Sequence, residues 1–576
     1  MGTISDKLMR IINTKEDIRK ALISKGYDVP TSVPFKEYAK MILDLPCKVD
    51  SFPDIEGIVA RYSASGLTNE QMAANPVWVD KTGNGYDLQL KNFSWKGMSG
   101  VGGYVADIDE WGTNSTAAYF ERNSIKITAT FKENASLGLL YHNIKLRQSC
   151  VLKVTGIPEG CDAFWDDRLG NRFYMSEDGV YEIIPSNFLA EALYLSIEKY
   201  PERWYGSKLT IEQLPLYPGA LVFDGVDDYG VCDNFPILTK EKGYTVVALR
   251  QWISMGEGIS GLVSNVKNWF NDGAFVLEYN SNNATNKFVN RPVSFGNVNI
   301  EMDLPNNFTY QTSKSYKGVP ITTGSFKGTN SLFVGKLNNI IGNCSNVAIW
   351  ELVFLDHDAT EEELTKIKDY FVKTYPWLFP DQAWTVTGKT NEDEDRATIA
   401  NITGNGNDLV LSNFGFAEGS GYNEEGEYAG YLVTDGVDDK ITSSTFEMGN
   451  DWTVIGDWEL INTGKNNNAG IVKFDSIVIY NYNPILINIK NGRNNLIPDQ
   501  NTVNAICSDG RIYSKDWKES IYNEETESTS KNLLTIGYSG NSYTKIAFKN
   551  LAIYPTVLSR EDCIKAYNYL QTLKAK

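Results

Sequence analysis

Histidine is nearly absent from this 576-residue chain, with only His142 and His357. Ser-His-Asp or Cys-His catalysis would have to use one of them. His142 falls in the apolar strand run LGLLYHNI, and His357 in the acidic turn Asp356-His357-Asp358. Neither context is that of a general base. Cysteine is sparse as well. The seven cysteines, Cys47, Cys150, Cys161, Cys232, Cys344, Cys507 and Cys563, form an odd set without a CxxC pair. That pattern indicates neither a zinc site nor a disulfide framework, and buried free thiols are expected. No apolar run approaches about 18 residues, so no membrane-spanning helix is expected. Basic residues are outnumbered 72 to 54, for a net charge of −18. This argues against a nucleic-acid surface, which needs a basic face, and against anchoring on anionic lipid. No P-loop or GxGxxG stretch occurs.

What the chain does have is a phrase written twice. Residues 82–93 read TGNGYDLQLKNF and residues 403–414 read TGNGNDLVLSNF. Downstream of each comes a second shared phrase, LVFDGVDD at 221–228 and LVTDGVDD at 432–439. Upstream, Gly66-Leu-Thr-Asn-Glu70 answers Gly388-Lys-Thr-Asn-Glu392. At the far end Asn346-Val-Ala-Ile-Trp350 is matched to Asn550-Leu-Ala-Ile-Tyr554. Capping-box patterns at Thr360/Glu363 and Ser559/Asp562 then open a short helix in each copy. Two copies of one module are implied. The shared phrases lie much farther apart in the first copy, so an insertion is placed there.

Apolar content is 42% and aromatic content 12%, carried mainly by 32 Tyr and 25 Phe. From about Phe52 onward, short alternating runs such as YTVVALRQWI and WTVIGDWELI are separated by DG, NG and GN turns. Strands without intervening helices predict a mostly β protein of stacked sandwiches. The domain reading is a helical segment at 1–46 and a discontinuous first module at 52–118 and 218–375. An inserted immunoglobulin-sized sandwich follows at 119–217, and a second module at 376–576. Residues 1–46 carry a capping box at Thr14–Asp17, yet their helices are too short to stand alone. They predict either a local cap on the first sandwich or an anchoring and oligomerisation segment. The start of the chain shows no secretory h-region.

TGNG is a tight turn in which glycine supplies positive φ. DGVDD is a second turn, with its valine expected to anchor it to the core. Its aspartates have two readings. They cap backbone N–H groups as an Asx turn, or Asp224, Asp227 and Asp228, with Asp435, Asp438 and Asp439, ligate calcium, which takes six to eight oxygens. For a sugar, which stacks on aromatics and bonds to Asn and Asp, the candidates are Trp269 with Asn268, Asn271 and Asp272, then Trp95 and Trp165. Each tryptophan has a competing reading as core.

FDGVDDYGV, followed by strands and closed by NVAIWELVFLDHDATEEELTKI, resembles the laminin-G-like, concanavalin-A-like lectin/glucanase superfamily. The closing phrase Val557-Leu-Ser-Arg-Glu561 fits that family well and Asp358-Ala-Thr-Glu-Glu362 loosely. The resemblance covers 52–118, 218–375 and 376–576. It implies two jelly-roll sandwiches that bind carbohydrate or protein surfaces, often with calcium. The enzyme branch uses an E-x-D-x-E strand. Asp107-Ile-Asp109-Glu110 lacks the third acid and 392–395 is a loop run, so no catalysis is expected. The second repeat phrase also looks like modules in proteins of gut Bacteroidales and their phages. KLMRIINTKEDIRKALISKGYDVP resembles the start of phage tail and fibre proteins. These resemblances imply a virion appendage, head or tail fibre, made in the host cytoplasm. Residues 1–46 would join it to other virion proteins, as a homo-oligomer, most simply a trimer. It would present lectin-like modules to a host surface glycan. The alternatives are a purely architectural decoration protein, a bacterial surface lectin and a capsule depolymerase.

Overall fold

A computed structural model describes Lys15 and, with gaps, residues 52–575. The larger undescribed stretches are 184–191, 267–274, 281–286, 291–297, 302–306, 321–328, 462–469, 481–484, 498–502 and 522–531. The helical reading of 1–46 lies outside the described residues apart from Lys15, which is helical.

The alternating runs fold as antiparallel ladders. The first module is a sandwich of two sheets, each eight-stranded among the described residues. At the centre of one sheet, Thr245–Ser254 pairs with Asn346–Leu355, which pairs on its other side with Leu221–Asp224. The facing sheet places Leu88–Lys91 beside Tyr229–Cys232, and that strand beside Leu332–Val334. Alternate residues of both sheets, among them Val246, Ala248, Trp252, Leu88, Leu90 and Val334, meet in one core. The period of two thus becomes an inward face. The second module repeats the plan, with Thr453–Leu460 on Ile546–Tyr554 and a core around Trp384, Trp458 and Phe548. The chain is therefore mostly β and built of jelly-roll-like sandwiches.

The ladders correct one match between the copies. Thr245 pairs with Leu355, and its counterpart Thr453 pairs with Tyr554. Likewise Leu221 faces Ile349 while Leu432 faces Phe548. The equivalent of Asn346–Leu355 is thus 545–554, five residues away from the phrase match. An odd slip would turn every side chain to the wrong face.

Between Gly112 and Gln213 the chain forms two five-stranded sheets with their own core around Trp165, Tyr141 and Leu209. Cys150 and Cys161 are buried within it, and the described cysteines are all buried and form no disulfide among themselves. Both closing helices form where the capping patterns place them. Glu361–Thr374 starts at Thr360, whose hydroxyl accepts from Glu363 N, while the Glu363 carboxylate accepts from Thr360 N. Arg560–Gln571 starts at Ser559. This last helix joins all three sandwiches. Tyr567 donates to Glu182 of the insertion at 2.9 Å. The Asn307 amide of the first module donates to the Tyr569 hydroxyl at 3.0 Å, and Gln571 donates to Asp457 of the second at 3.1 Å.

Candidate functional site

The repeated phrases brace each module from its two ends: in the first, TGNG sits beside Val59 at the Leu355 end of the strand Asn346–Leu355, and DGVDD at its Asn346 end. There Asp80 Oδ1 accepts from Arg61 N, Thr82 N and the Thr82 hydroxyl. Asn401 Oδ1 plays the same part for Ala383 N, Thr403 N and the Thr403 hydroxyl. Asn84 and Asn405 strap the TGNG turn to the carbonyls of Val59 and Asp381. Gly83 and Gly404 sit at φ near +80° with open space around them, so the turn geometry, and not crowding, selects glycine.

The strand then ends at Asn92 and Asn413, both at positive φ, 68° and 69°. Each donates its side-chain amide to the DGVDD turn, Asn92 to Asp227 O and Asn413 to Asp438 O, both at 2.9 Å. The GLTNE phrase supplies the other wall. Asn69 accepts from Val101 N at 2.7 Å and donates to Val101 O, and Asn391 clamps Tyr422 in the same way. A Cβ at Gly100 or Gly421 would meet the Asn69 or Asn391 Oδ1 at 2.5 Å, so the residue beside each clamp must be glycine. Changing Asn69 to alanine leaves both backbone groups of Val101 without that partner. It should lower stability by about 1–3 kcal/mol, read as a fall in the melting midpoint of the first module. A loss under about 0.5 kcal/mol would show the clamp to be dispensable.

The DGVDD segment forms the Asx turn. Asp224 Oδ1 accepts from Val226 N at 2.8 Å, and Asp435 Oδ1 from Val437 N at 2.7 Å. Asp228 and Asp439 reach back to the N–H of Asp224 and Asp435. The turn does not bury its valine. Val226 is 75% exposed and Val437 70%, the most exposed of the large hydrophobics described. With the carboxylate holding the backbone inward, the residue at the tip projects outward. Replacing Val226 with serine should therefore change stability by less than about 0.5 kcal/mol in a thermal melt.

The same turn gathers charge. In each trio, one carboxylate oxygen from every aspartate lies within 4.8 Å of the others. The innermost acids, Asp228 and Asp439, are fully buried. Each keeps Oδ1 without a hydrogen bond of ordinary geometry. Burial pushes Asp228 up to about 7, with Asp224 and Asp227 adding to it, and the Ser99 hydroxyl eases the charge only in part. Burial raises Asp439 as well. Three hard oxygen donors, one of them buried with spare coordination capacity, fit part of a calcium shell.

The aromatic candidates divide. Trp95, at φ 58°, is half-buried and stacks on Phe93 at 4.8 Å. Phe416 takes its place in the second copy, under the Arg396 guanidinium at 5.1 Å. Trp165 is fully buried in the insertion's core, edge-on to Trp111 at 5.7 Å, and offers no face to a ligand. Trp269, Asn268, Asn271 and Asp272 lie outside the described residues. His357 is held between Asp356 and Glu363 in the first capping box. An open cleft of about 820 Å³ also separates the insertion from the last helix, bordered by Lys153, Glu212, Ile564 and Asn568.

No protein-family model matches the chain, and no curated protein matches it. Among solved structures, it is similar to the binding domain of botulinum neurotoxin serotype D. The identity there is 10% and the TM-score 0.22, over 60% of this chain and 89% of that one. It is also similar to a Trypanosoma rangeli sialidase in complex with sialic acid. That match has 8% identity and a TM-score of 0.25, over 78% and 83% of the two chains.

Proposed function

We propose that this chain is a virion appendage protein that attaches to a host surface glycan through the two repeated corners. The observation that carries the reading is the duplication of one solvent-facing arrangement. Each corner has an aspartate trio, a projecting valine and an aromatic ring at positive φ. An exposed valine at an acidic tip does nothing for the core, so its place in both copies fits a contact surface. Calcium would sit on the trio and leave coordination positions for sugar hydroxyls. Two weak sites on one chain gain by avidity. Residues 1–46 would join the protein to its particle, as a trimer of this chain. With His357 tied to two carboxylates, the reading is of a binding protein and not of an enzyme.

The test is binding of the purified protein to surface polysaccharide from candidate host bacteria, in calcium and then in chelator. Saturable binding that chelation weakens, and that the paired change D227N with D438N weakens, is the expected result. No binding in either condition to any host polysaccharide would leave the sandwiches as architecture.

A further inference from the structure

The strand that carries Trp165 has a second face, and we infer that this face of the inserted sandwich is a calcium-independent platform for a neutral polysaccharide. The strand Asp162–Asp166 lies between Arg172–Met175 and Leu193–Glu198. Residues directly opposite in an antiparallel ladder share a face. Ala163 and Trp165 point into the core with Met175, Leu195 and Ile197. The register therefore places Phe164 with Tyr174, and Asp166 with Arg172 and Tyr194, on the outside.

There they form a layer in which Phe164, only 5% exposed, lies beneath the Tyr174 ring and the Arg172 guanidinium. Phe164 and Tyr174 lie 5.3 Å apart. The Arg172 guanidinium stands 4.7 Å over Phe164, and that of Arg168 3.9 Å over Tyr194. Arg168 is aimed there by the hairpin, where it takes φ 57°. Asp167 pins that turn by accepting from Leu169 N and Asn171 N. Tyr174 is 44% exposed, and Leu169 projects at the hairpin tip.

The charges select the ligand. Arg172 is paired with Asp166 at 3.0 Å and with Glu198 at 3.9 Å. Among the described residues, Arg168 and Arg172 stand against Asp162, Asp166 and Glu198, so the face carries no positive excess, on a chain of net charge −18. A nucleic acid, an acidic polysaccharide or an anionic membrane would find no net attraction. A neutral sugar chain finds what it needs. Its C–H faces pack on the exposed Tyr174 ring and along the Arg168 guanidinium that lies over Tyr194. Its hydroxyls meet donors and acceptors already held in place by ion pairs, so little ordering is lost on binding. The ligand class rests on the glycan reading above; the site does not depend on the aspartate trios.

The test uses the full chain with mannan, laminarin and dextran as neutral probes and alginate as an acidic one, by affinity electrophoresis with calcium or chelator. Binding to a neutral probe should persist in chelator. The double variant Y174A/Y194A should weaken it about ten-fold or more with an unchanged melting curve. Y174F/Y194F should retain it within about two-fold, because the rings remain. Binding that survives Y174A/Y194A but is lost in chelator would overturn this platform and keep the paired corners. A preference for alginate would overturn it too. So would a concentration-dependent dimer abolished by Y174A, because the face would then serve a second copy of the chain. No binding in any arm would overturn both readings.

Discussion

Replacing Arg250 with alanine should destabilise the first module by about 3–5 kcal/mol, the largest loss expected from any single change here. Arg250 crosses the sandwich from one sheet to Glu278 on the other, at 2.5 Å. Both side chains are almost wholly buried. Glu278 also accepts from Trp252 Nε1, the Thr309 hydroxyl and the Tyr316 hydroxyl. Burial raises its pKa, but the charge and hydrogen bond of Arg250, with Lys317 and the Thr309 hydroxyl, together hold the carboxyl down to about 2. Glu278 further sits at φ 51°, a region costly for a side chain and held only by its surroundings. Removing Arg250 leaves a buried carboxylate with three uncharged donors and only the weaker attraction of Lys317. For a unit of this size the loss corresponds to a melting midpoint lower by about 6–20 °C. The second copy indicates the remedy. Its ladder puts Trp458 at the position of Arg250, buried and apolar. The paired change R250M/E278M should therefore cost much less than R250A. The pair is of no consequence to the fold if R250A melts within about 2 °C of the parent.

The sign of the pH effect follows. Glu278 is depressed in the folded state, so its contribution is present above the ordinary glutamate range. It fades as pH falls toward about 2.

The local chemistry of this chain was open to reading from its residues, and the pairing was not. TGNG, the two capping patterns and the strand-rich language all correspond to structure, because positive φ and helix N–H groups are requirements of single turns. The last strand was matched five residues out of register. NVAIW and NLAIY are both generic buried strand sequences, and only the hydrogen-bonded partner tells which residue faces which. Trp165 shows the same limit at finer scale. In Phe164-Trp165-Asp166 the largest ring draws attention, yet period two sends it inward and its neighbours outward. One firm outside residue, such as Arg172 opposite Asp166, would have set the phase. Val226 failed for another reason. Hydrophobicity suggested an anchor, while the Asx turn, dictated by Asp224, decides where position three of the turn points. The buried Arg250 carried no signal at all, since a charge within YTVVALRQWI reads as an edge and not as half of a cross-sheet pair.

Calcium should stabilise the protein at pH 8 and leave it almost unchanged at pH 5, if the aspartate trios hold the ion. Asp228 is raised from 3.8 to about 7 by burial, with Asp224 and Asp227 contributing. Between those values the folded protein keeps a proton that the unfolded chain has lost. Stability without metal therefore falls as pH rises through that window, by about 1.4 kcal/mol per unit of separation. Above it, the buried carboxylate remains charged and uncomfortable. A divalent cation answers that charge directly, and protons compete for the same oxygens. At a hundred-fold excess over its dissociation constant, calcium would add about 2.7 kcal/mol. That corresponds to a midpoint higher by about 5–10 °C at pH 8. Asp228→Asn together with Asp439→Asn keeps the shape and removes the buried charges. This variant should lose both the fall in stability between pH 5 and 8 and the response to calcium. An asparagine variant that still responds to calcium would place the ion elsewhere. A parent protein whose pH 8 melt is unmoved by millimolar calcium would leave DGVDD as a turn alone, and a chelator would then have no effect on the corners.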